Sequence, residues 1–105
     1  MLAIDFAPNG DVVIAGRLDA TQSPTAQAFL DQVQGTVRLD CSGLEYISSA
    51  GLRVLLASAK QFRKLQGAIG LTSLTPTVKQ VFEISGFTSI FPIYASREEA
   101  LGAMK

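Results

Sequence analysis

Asp40-Cys41-Ser42-Gly43-Leu44-Glu45-Tyr46-Ile47-Ser48-Ser49-Ala50-Gly51-Leu52 decides how the chain folds. Its left flank, Thr36–Cys41, alternates Val37, Leu39 and Cys41 with polar neighbours, the period of a half-buried strand. On its right, Leu52, Leu55, Leu56, Ala59 and Phe62 recur at helical spacing and predict a helix from about Ala50 to Leu65. The residues between read as a short loop. Ser48 and Ser49 end that loop with hydroxyls close to the helix N-terminus. Serine suits this place as a cap, accepting from a backbone N–H that the helix leaves unpaired. The same place also suits an anion, so one of the two serines is a candidate to carry phosphate.

Upstream, Leu2–Phe6 and Asp11–Ala15 are predicted strands joined by an Asn9-Gly10 turn. The apolar run Val12-Val13-Ile14-Ala15 predicts burial on both faces. Gly16-Arg17-Leu18-Asp19 is expected to leave the sheet. Ser23 before Pro24 predicts a helix with serine as N-cap and proline at the first position. Ala26, Phe29, Leu30 and Val33 form its inner face, and Gly35 is expected to end it.

Downstream, Gly67–Leu71 is a predicted strand, its Gly-x-x-Gly a turn rather than an RNA clamp, since neither a helix nor a basic setting follows. Thr75-Pro76 opens a third helix with Val78, Val81 and Phe82 inward and Gly86 as its stop. Ile90–Tyr94 is a last strand whose Pro92 assigns it to an edge or terminus. Ser96-Arg97-Glu98-Glu99 is a capping box for a final helix docked by Ala100 and Leu101. The expected fold is α/β: a mixed, mostly parallel central sheet with an N-terminal β-hairpin and about four helices. In such sheets function gathers where strands end and helices begin, here the Gly16–Asp19 and Ser48–Ser49 loops.

The 105 residues are expected to form a single domain over 1–105. A hydrophobic fraction of 48% with 17% charged residues suits a packed core. Nine basic and nine acidic residues cancel, so general affinity for nucleic acid or anionic membrane is not expected. One cysteine, Cys41, forms no internal disulfide, and the N-terminus has no basic leader region, which points to the cytoplasm. Arg53 and Lys60 in the longest apolar helix argue against membrane insertion.

Catalysis is not expected. There is no histidine, which removes the Ser-His-Asp triad, histidine-ligated zinc and histidine phosphorelay. Ile47-Ser48-Ser49-Ala50-Gly51 lacks the first glycine of a nucleophile elbow. Cys41 lies in an apolar alternation with no cation beside it to lower its pKa. The sequence has no phosphate loop and no dinucleotide fingerprint, and its acidic residues are scattered, so neither cofactor nor metal is expected. A hydroxyl without a base is a poor nucleophile but a good kinase substrate, because the kinase supplies the base. Arg53, Lys60 and Lys64 share an exposed helical side, and Lys60, Arg63 and Lys64 crowd its last turns. Two readings stand open for them: a solvated helix end suited to the dipole, or a partner-binding surface.

Leu39–Leu52 resembles the signature of the STAS domains, and within them of the stand-alone bacterial anti-sigma factor antagonists. Gly16-Arg17-Leu18-Asp19 is similar to the family's Gly-Glu-Leu-Asp segment, and Thr75–Leu101 matches its tail, with Gly86-Phe87 and the Ser96–Leu101 cap. The resemblance implies a switch. The dephosphorylated antagonist binds an anti-sigma factor that is also a serine kinase of the GHKL type, and the sigma factor is freed. The kinase phosphorylates the antagonist, and a PP2C-type phosphatase resets it. ATP belongs to the partner kinase. The family's phosphoserine aligns with Ser49, with Ser48 as the alternative. Asp19 aligns with an acidic loop residue near that phosphoserine in the family, and placement about the two loops and the exposed side of the central helix makes Asp19, Asp40, Ser48, Ser49, Gly51 and Arg53 the expected partner-binding residues. Two positions depart from the pattern: Ser48 stands for the usual aspartate and Arg17 for the usual glutamate, and both remove negative charge beside the site. The other reading of the same fold is a non-phosphorylated interaction subunit of a larger signalling or transport assembly.

Overall fold

The computed structural model describes residues 1–104. Among them, strands β1 (Leu2–Phe6), β2 (Val12–Leu18), β3 (Thr36–Ile47), β4 (Ala68–Thr72) and β5 (Ile93–Tyr94) form one sheet in that order. The helices are α1 (Ser23–Leu30), α2 (Ser49–Lys64), α3 (Pro76–Ile84) and α4 (Arg97–Ala103), with a 3-10 turn at Phe87–Ser89 before β5. Strand β1 runs antiparallel to β2, and every other pairing is parallel. This is the mixed sheet with an N-terminal hairpin and four helices that the sequence predicts.

The strand register sorts the side chains. Phe6, Val12, Leu39 and Leu71 lie opposite one another across four strands and share a face. Val12, Leu39 and Leu71 are fully buried there, each contributing about 1.5–3 kcal/mol of burial. Helix α1 reaches this face at half-exposed Phe6, whose ring lies 5.2 Å from that of Phe29 between centroids and tilted by 47°. Parallel strands laid down in chain order with right-handed crossovers send their connecting helices to one side. Helix α4 takes the other. A side chain at Gly70, whose neighbour in β3 is Arg38, would collide with Met104 Sδ at 2.5 Å.

An ion-pair clasp holds α4 in place. Buried Asp11 accepts from Arg38 Nε at 2.8 Å through one oxygen and from Arg97 Nε at 2.7 Å through the other. Both carboxylate oxygens are therefore charge-paired, which is what burying a carboxylate demands. Ala100, in the middle of α4, is fully buried. Leu101, expected to dock with it, is 39% exposed. Ser96 caps α4 by accepting from Glu99 N at 3.2 Å.

Several boundaries differ from the sequence expectation, each for a local reason. Strand β3 does not stop at Cys41. It continues to Ile47, and Ser42-Gly43 is an irregular part of the strand rather than a loop. Strand β2 likewise runs on through Gly16-Arg17 to Leu18 instead of leaving the sheet. Gly16 has φ +90°, and a Cβ there would lie 2.1 Å from Met1 O, so this glycine marks a bulge rather than a strand end. Only one face of β2 is fully covered: Val12 and Ile14 are buried, whereas Val13 and Ala15 are half-buried. The hairpin turns on Pro8-Asn9, with Gly10 alone taking positive φ, and Ala7 N donates to Asp11 O at 2.8 Å. Helix α1 starts one residue earlier than expected, with Gln22 at the N-cap and Ser23 inside the helix. It ends at Leu30, before Gly35, because the chain needs Gln32–Gly35 to reach β3. Strand β5 keeps only Ile93–Tyr94, since residues 87–89 coil into the 3-10 turn and Pro92 has no N–H to give the ladder.

Candidate functional site

Parallel strands β2 and β3 end side by side, with Leu18 opposite Ile47. The chain leaves β2 at Asp19 and leaves β3 at Ser48, so the two predicted loops meet at one end of the sheet. Their junction is tightly bonded. Leu18 O accepts from Ser48 N at 3.0 Å and from Ser48 Oγ at 3.3 Å. Ser48 is extended, with φ −93° and ψ 173°, and its Oγ accepts from Gly51 N at 3.2 Å. It is thus the N-cap of α2, half-buried, with its hydroxyl used as both donor and acceptor.

Ser49 differs. It is the first residue of α2, it is exposed, and among the described residues its hydroxyl has no hydrogen-bond partner. Its free hydroxyl stands at the start of the first helical turn, where Gly51 N is capped by Ser48 Oγ and Leu52 N donates to Ser48 O at 2.9 Å. Gly51 explains how the helix comes so near the strand end. A Cβ at this buried glycine would lie 2.6 Å from Leu18 O, 2.8 Å from Leu18 Cγ and 3.0 Å from Ile47 Cγ1.

Asp19 flanks the same junction. Its Oδ1 accepts from Gln22 N at 3.0 Å, and its carbonyl accepts from Ser23 N at 3.0 Å and Ser23 Oγ at 2.7 Å. This turn fixes the β2–α1 connection and is the role Ser23 plays in place of an N-cap. Arg53 is exposed, four residues beyond Ser49 on the same side of α2. Asp19, Ser48, Ser49, Gly51 and Arg53 are therefore brought together. Asp40 is not. It lies in the middle of β3 with Oδ1 accepting from Ser42 N at 3.0 Å. Six residues of strand, Cys41–Tyr46, at about 3.3 Å each, lie between it and Ile47.

Sequence reasoning missed Tyr46 as a surface feature. The Arg17 guanidinium lies 4.3 Å from the centre of the Tyr46 ring, and the two residues are neighbours across β2 and β3. The signal was hidden because both strands were expected to end before these positions. Cys41 is fully buried; loss of hydration, then the Asp40 charge, push its thiol from 9.0 up to about 12. It stays protonated and is no nucleophile at neutral pH. A cleft of about 560 Å³ opens elsewhere, between α3 and the β5–α4 edge, and is lined by Lys79, Glu83, Tyr94 and Glu99. No described helix is long and apolar enough to cross a membrane.

The sequence pattern of the STAS domain matches residues 8–100. The chain belongs to the STAS domain family. Among curated STAS relatives, it is 55% identical over 78 residues to BtrV of Bordetella bronchiseptica, described as a candidate anti-sigma factor antagonist, covering 74% of this chain and 67% of BtrV. It is 32% identical over 87 residues to the anti-sigma-B factor antagonist of Listeria monocytogenes, covering 79% of this chain and 76% of that protein. Among solved STAS structures, SpoIIAA of Bacillus in its phosphorylated form superposes with a TM-score of 0.69 at 21% identity, covering 100% of both chains. That likeness shows the shared fold, from the antiparallel hairpin to the terminal helix.

Proposed function

We propose that this STAS domain is an anti-sigma factor antagonist. In its dephosphorylated form it binds an anti-sigma factor that is also a GHKL-type serine kinase, and so releases the sigma factor. Phosphorylation of Ser49 ends the complex, and a PP2C-type phosphatase restores it. ATP enters with the kinase, and the cycle runs in the cytoplasm. The observation that carries this reading is the contrast between the two serines. Ser48 Oγ is committed to Leu18 O and Gly51 N, whereas the Ser49 hydroxyl is exposed and unbonded. A kinase needs a hydroxyl that it can reach and deprotonate. The names borne by the relatives supply the partner class, and the structure of SpoIIAA in a phosphorylated form gives a precedent for the modification in the fold.

Phosphate adds about −1.5 to −2 charge at neutral pH. At a helix N-terminus it meets the positive end of the dipole, so the helix keeps its structure. The switch then acts at the interface, by bulk, by charge and by the cost of desolvating the phosphate. The test is intact-mass and fragment analysis of the protein from its own cell, and of protein incubated with Mg-ATP and a GHKL-type serine kinase from that cell. Phosphate on Ser49, absent in Ser49→Ala, is the expected result, with Ser49→Asp weakening the complex. Full phosphorylation of Ser49→Ala moves the site to Ser48. Lack of phosphate on both serines favours the alternative, a constitutive interaction subunit, a reading to which Arg17 stacked on Tyr46 and the uncharged Ser48 lend support.

A further inference from the structure

The charges of this electrically neutral chain are unevenly placed. Helix α2 holds four of the nine basic residues, Arg53, Lys60, Arg63 and Lys64, and none of the nine acidic ones. The remainder of the chain is correspondingly acidic. All four cations are exposed, and among the described residues the ion pairs are those of Asp11 with Arg38 and Arg97. Among the described residues, none of the α2 cations has an ion-pair partner.

The helix dipole explains part of this. Arg63 and Lys64 occupy the last turn, where a cation is stabilised. It gives no reason for Arg53, one turn from the opposite end. Spacing works against the rest. Lys60 stands three residues from Arg63 and four from Lys64, positions at which like charges repel by about 0.2–0.5 kcal/mol per pair. Ser49, Arg53, Ala57, Lys60 and Lys64 form one exposed stripe down the helix, about 22 Å long at 1.5 Å per residue. Exposed Ala57 in its middle keeps the ridge low enough for another surface to approach. The stripe begins at Ser49 and is continuous with the junction described above.

We infer that this α2 ridge is a docking surface for a protein that presents carboxylates along a matching strip. The inference rests on the proposed partner-binding role and adds the chemistry of the partner: an acidic face, drawn in by the field of Arg53, Lys60, Arg63 and Lys64. Phosphate on Ser49 would introduce negative charge at one end of the strip and oppose the same carboxylates. Complementary charge of this kind acts mainly on the association rate.

Two measurements decide it. The first needs no partner: backbone NMR titration of the intact chain with a short poly-glutamate peptide. Shifts are expected at Ser49, Arg53, Ala57, Lys60 and Lys64. They should vanish in the Lys60→Glu/Lys64→Glu double variant, and also at about 1 M salt, where charges are screened beyond about 3 Å. The milder Lys60→Gln/Lys64→Gln variant should weaken them while leaving the fold unchanged. Shifts centred on Arg17 or Arg38, shifts that survive charge reversal, or no shifts overturn the inference. Tighter binding of the same face to phosphatidylglycerol vesicles or an RNA oligomer than to the peptide overturns it too. The second measures association of an anti-sigma factor from the same cell, which should slow about tenfold or more at low salt with Lys60→Glu/Lys64→Glu. An unchanged rate overturns the acidic ridge contact and leaves the antagonist reading standing. Absence of any wild-type complex overturns the antagonist reading, while the peptide titration still decides the ridge.

Discussion

Replacing Gly51 with alanine separates packing from helix propensity. In an ordinary exposed helix the change stabilises by about 0.5–1 kcal/mol, because glycine loses more backbone freedom on folding. At Gly51 the new methyl would sit 2.6 Å from Leu18 O and 2.8 Å from Leu18 Cγ. The first neighbour is backbone, held by Ser48 N and Ser48 Oγ, and cannot move without breaking the junction. Overpacking of this kind costs about 1–3 kcal/mol. A 2.6 Å approach to fixed backbone belongs at the upper end of that range, about 2–3 kcal/mol, so after the propensity gain a net loss of roughly 1–2.5 kcal/mol remains. Urea denaturation followed by circular dichroism gives the difference, and a domain of this size should melt about 4–15 °C lower. Gly102→Ala in α4 is the control, since nothing lies within 4 Å of a Cβ there. It should stabilise by up to about 1 kcal/mol. A Gly51→Ala protein as stable as the wild type would refute the close approach of α2 to β2, and with it the account of how Ser49 is positioned.

Ser48→Ala removes a cap that bonds both Gly51 N and Leu18 O; about 1 kcal/mol of stability should be lost in denaturation, while mass spectrometry still finds phosphate at Ser49. Asp11→Ala leaves Arg38 and Arg97 without their shared carboxylate; both arginines can rehydrate, so the loss should be about 2 kcal/mol rather than the larger cost of a fully buried pair, and hydrogen exchange should quicken in α4 before the rest of the chain. Cys41 should resist alkylation in the native state and react once the chain unfolds. Between pH 9.0 and about 12 the unfolded thiol gives up its proton while the folded one keeps it, so stability should fall with rising pH by about 1 kcal/mol per unit; Cys41→Ala should lose that component of the slope, and an identical slope would contradict it.

The fold was legible wherever periodicity was long. The stripe Leu52, Leu55, Ala59 and Phe62 gave α2 to within a residue at each end, and the β–α alternation gave the parallel sheet. Glycine misled the reading of β2 and β3. Gly16 and Gly43 resemble breakers in sequence, yet both lie within strands because a neighbour leaves no room for a side chain. A Cβ at Gly43 would meet Ala15 Cβ at 2.9 Å. That contact joins residues far apart in sequence, and no local pattern announces it. The distinction between Ser48 and Ser49 was likewise out of reach, because either serine suits a helix start. Leu18, which accepts from one and not the other, decides it only after β2 and β3 are side by side. Asp40 looked close to the serines when the intervening residues were taken for a loop; the extended strand moves it away.

The two outer strands of the sheet bear on how such a molecule survives at working concentration. An open strand edge invites other chains to add to the sheet, and long apolar edges seed aggregates. Here one edge is β1, five residues long with exposed Asp5 at its fourth position. The other is β5, two residues long and preceded by Pro92. Both are poor templates for further strand addition. In the partner cycle proposed above, the consequence would be that the backbone offers little to unintended neighbours, so that association falls to the side chains of a chosen face.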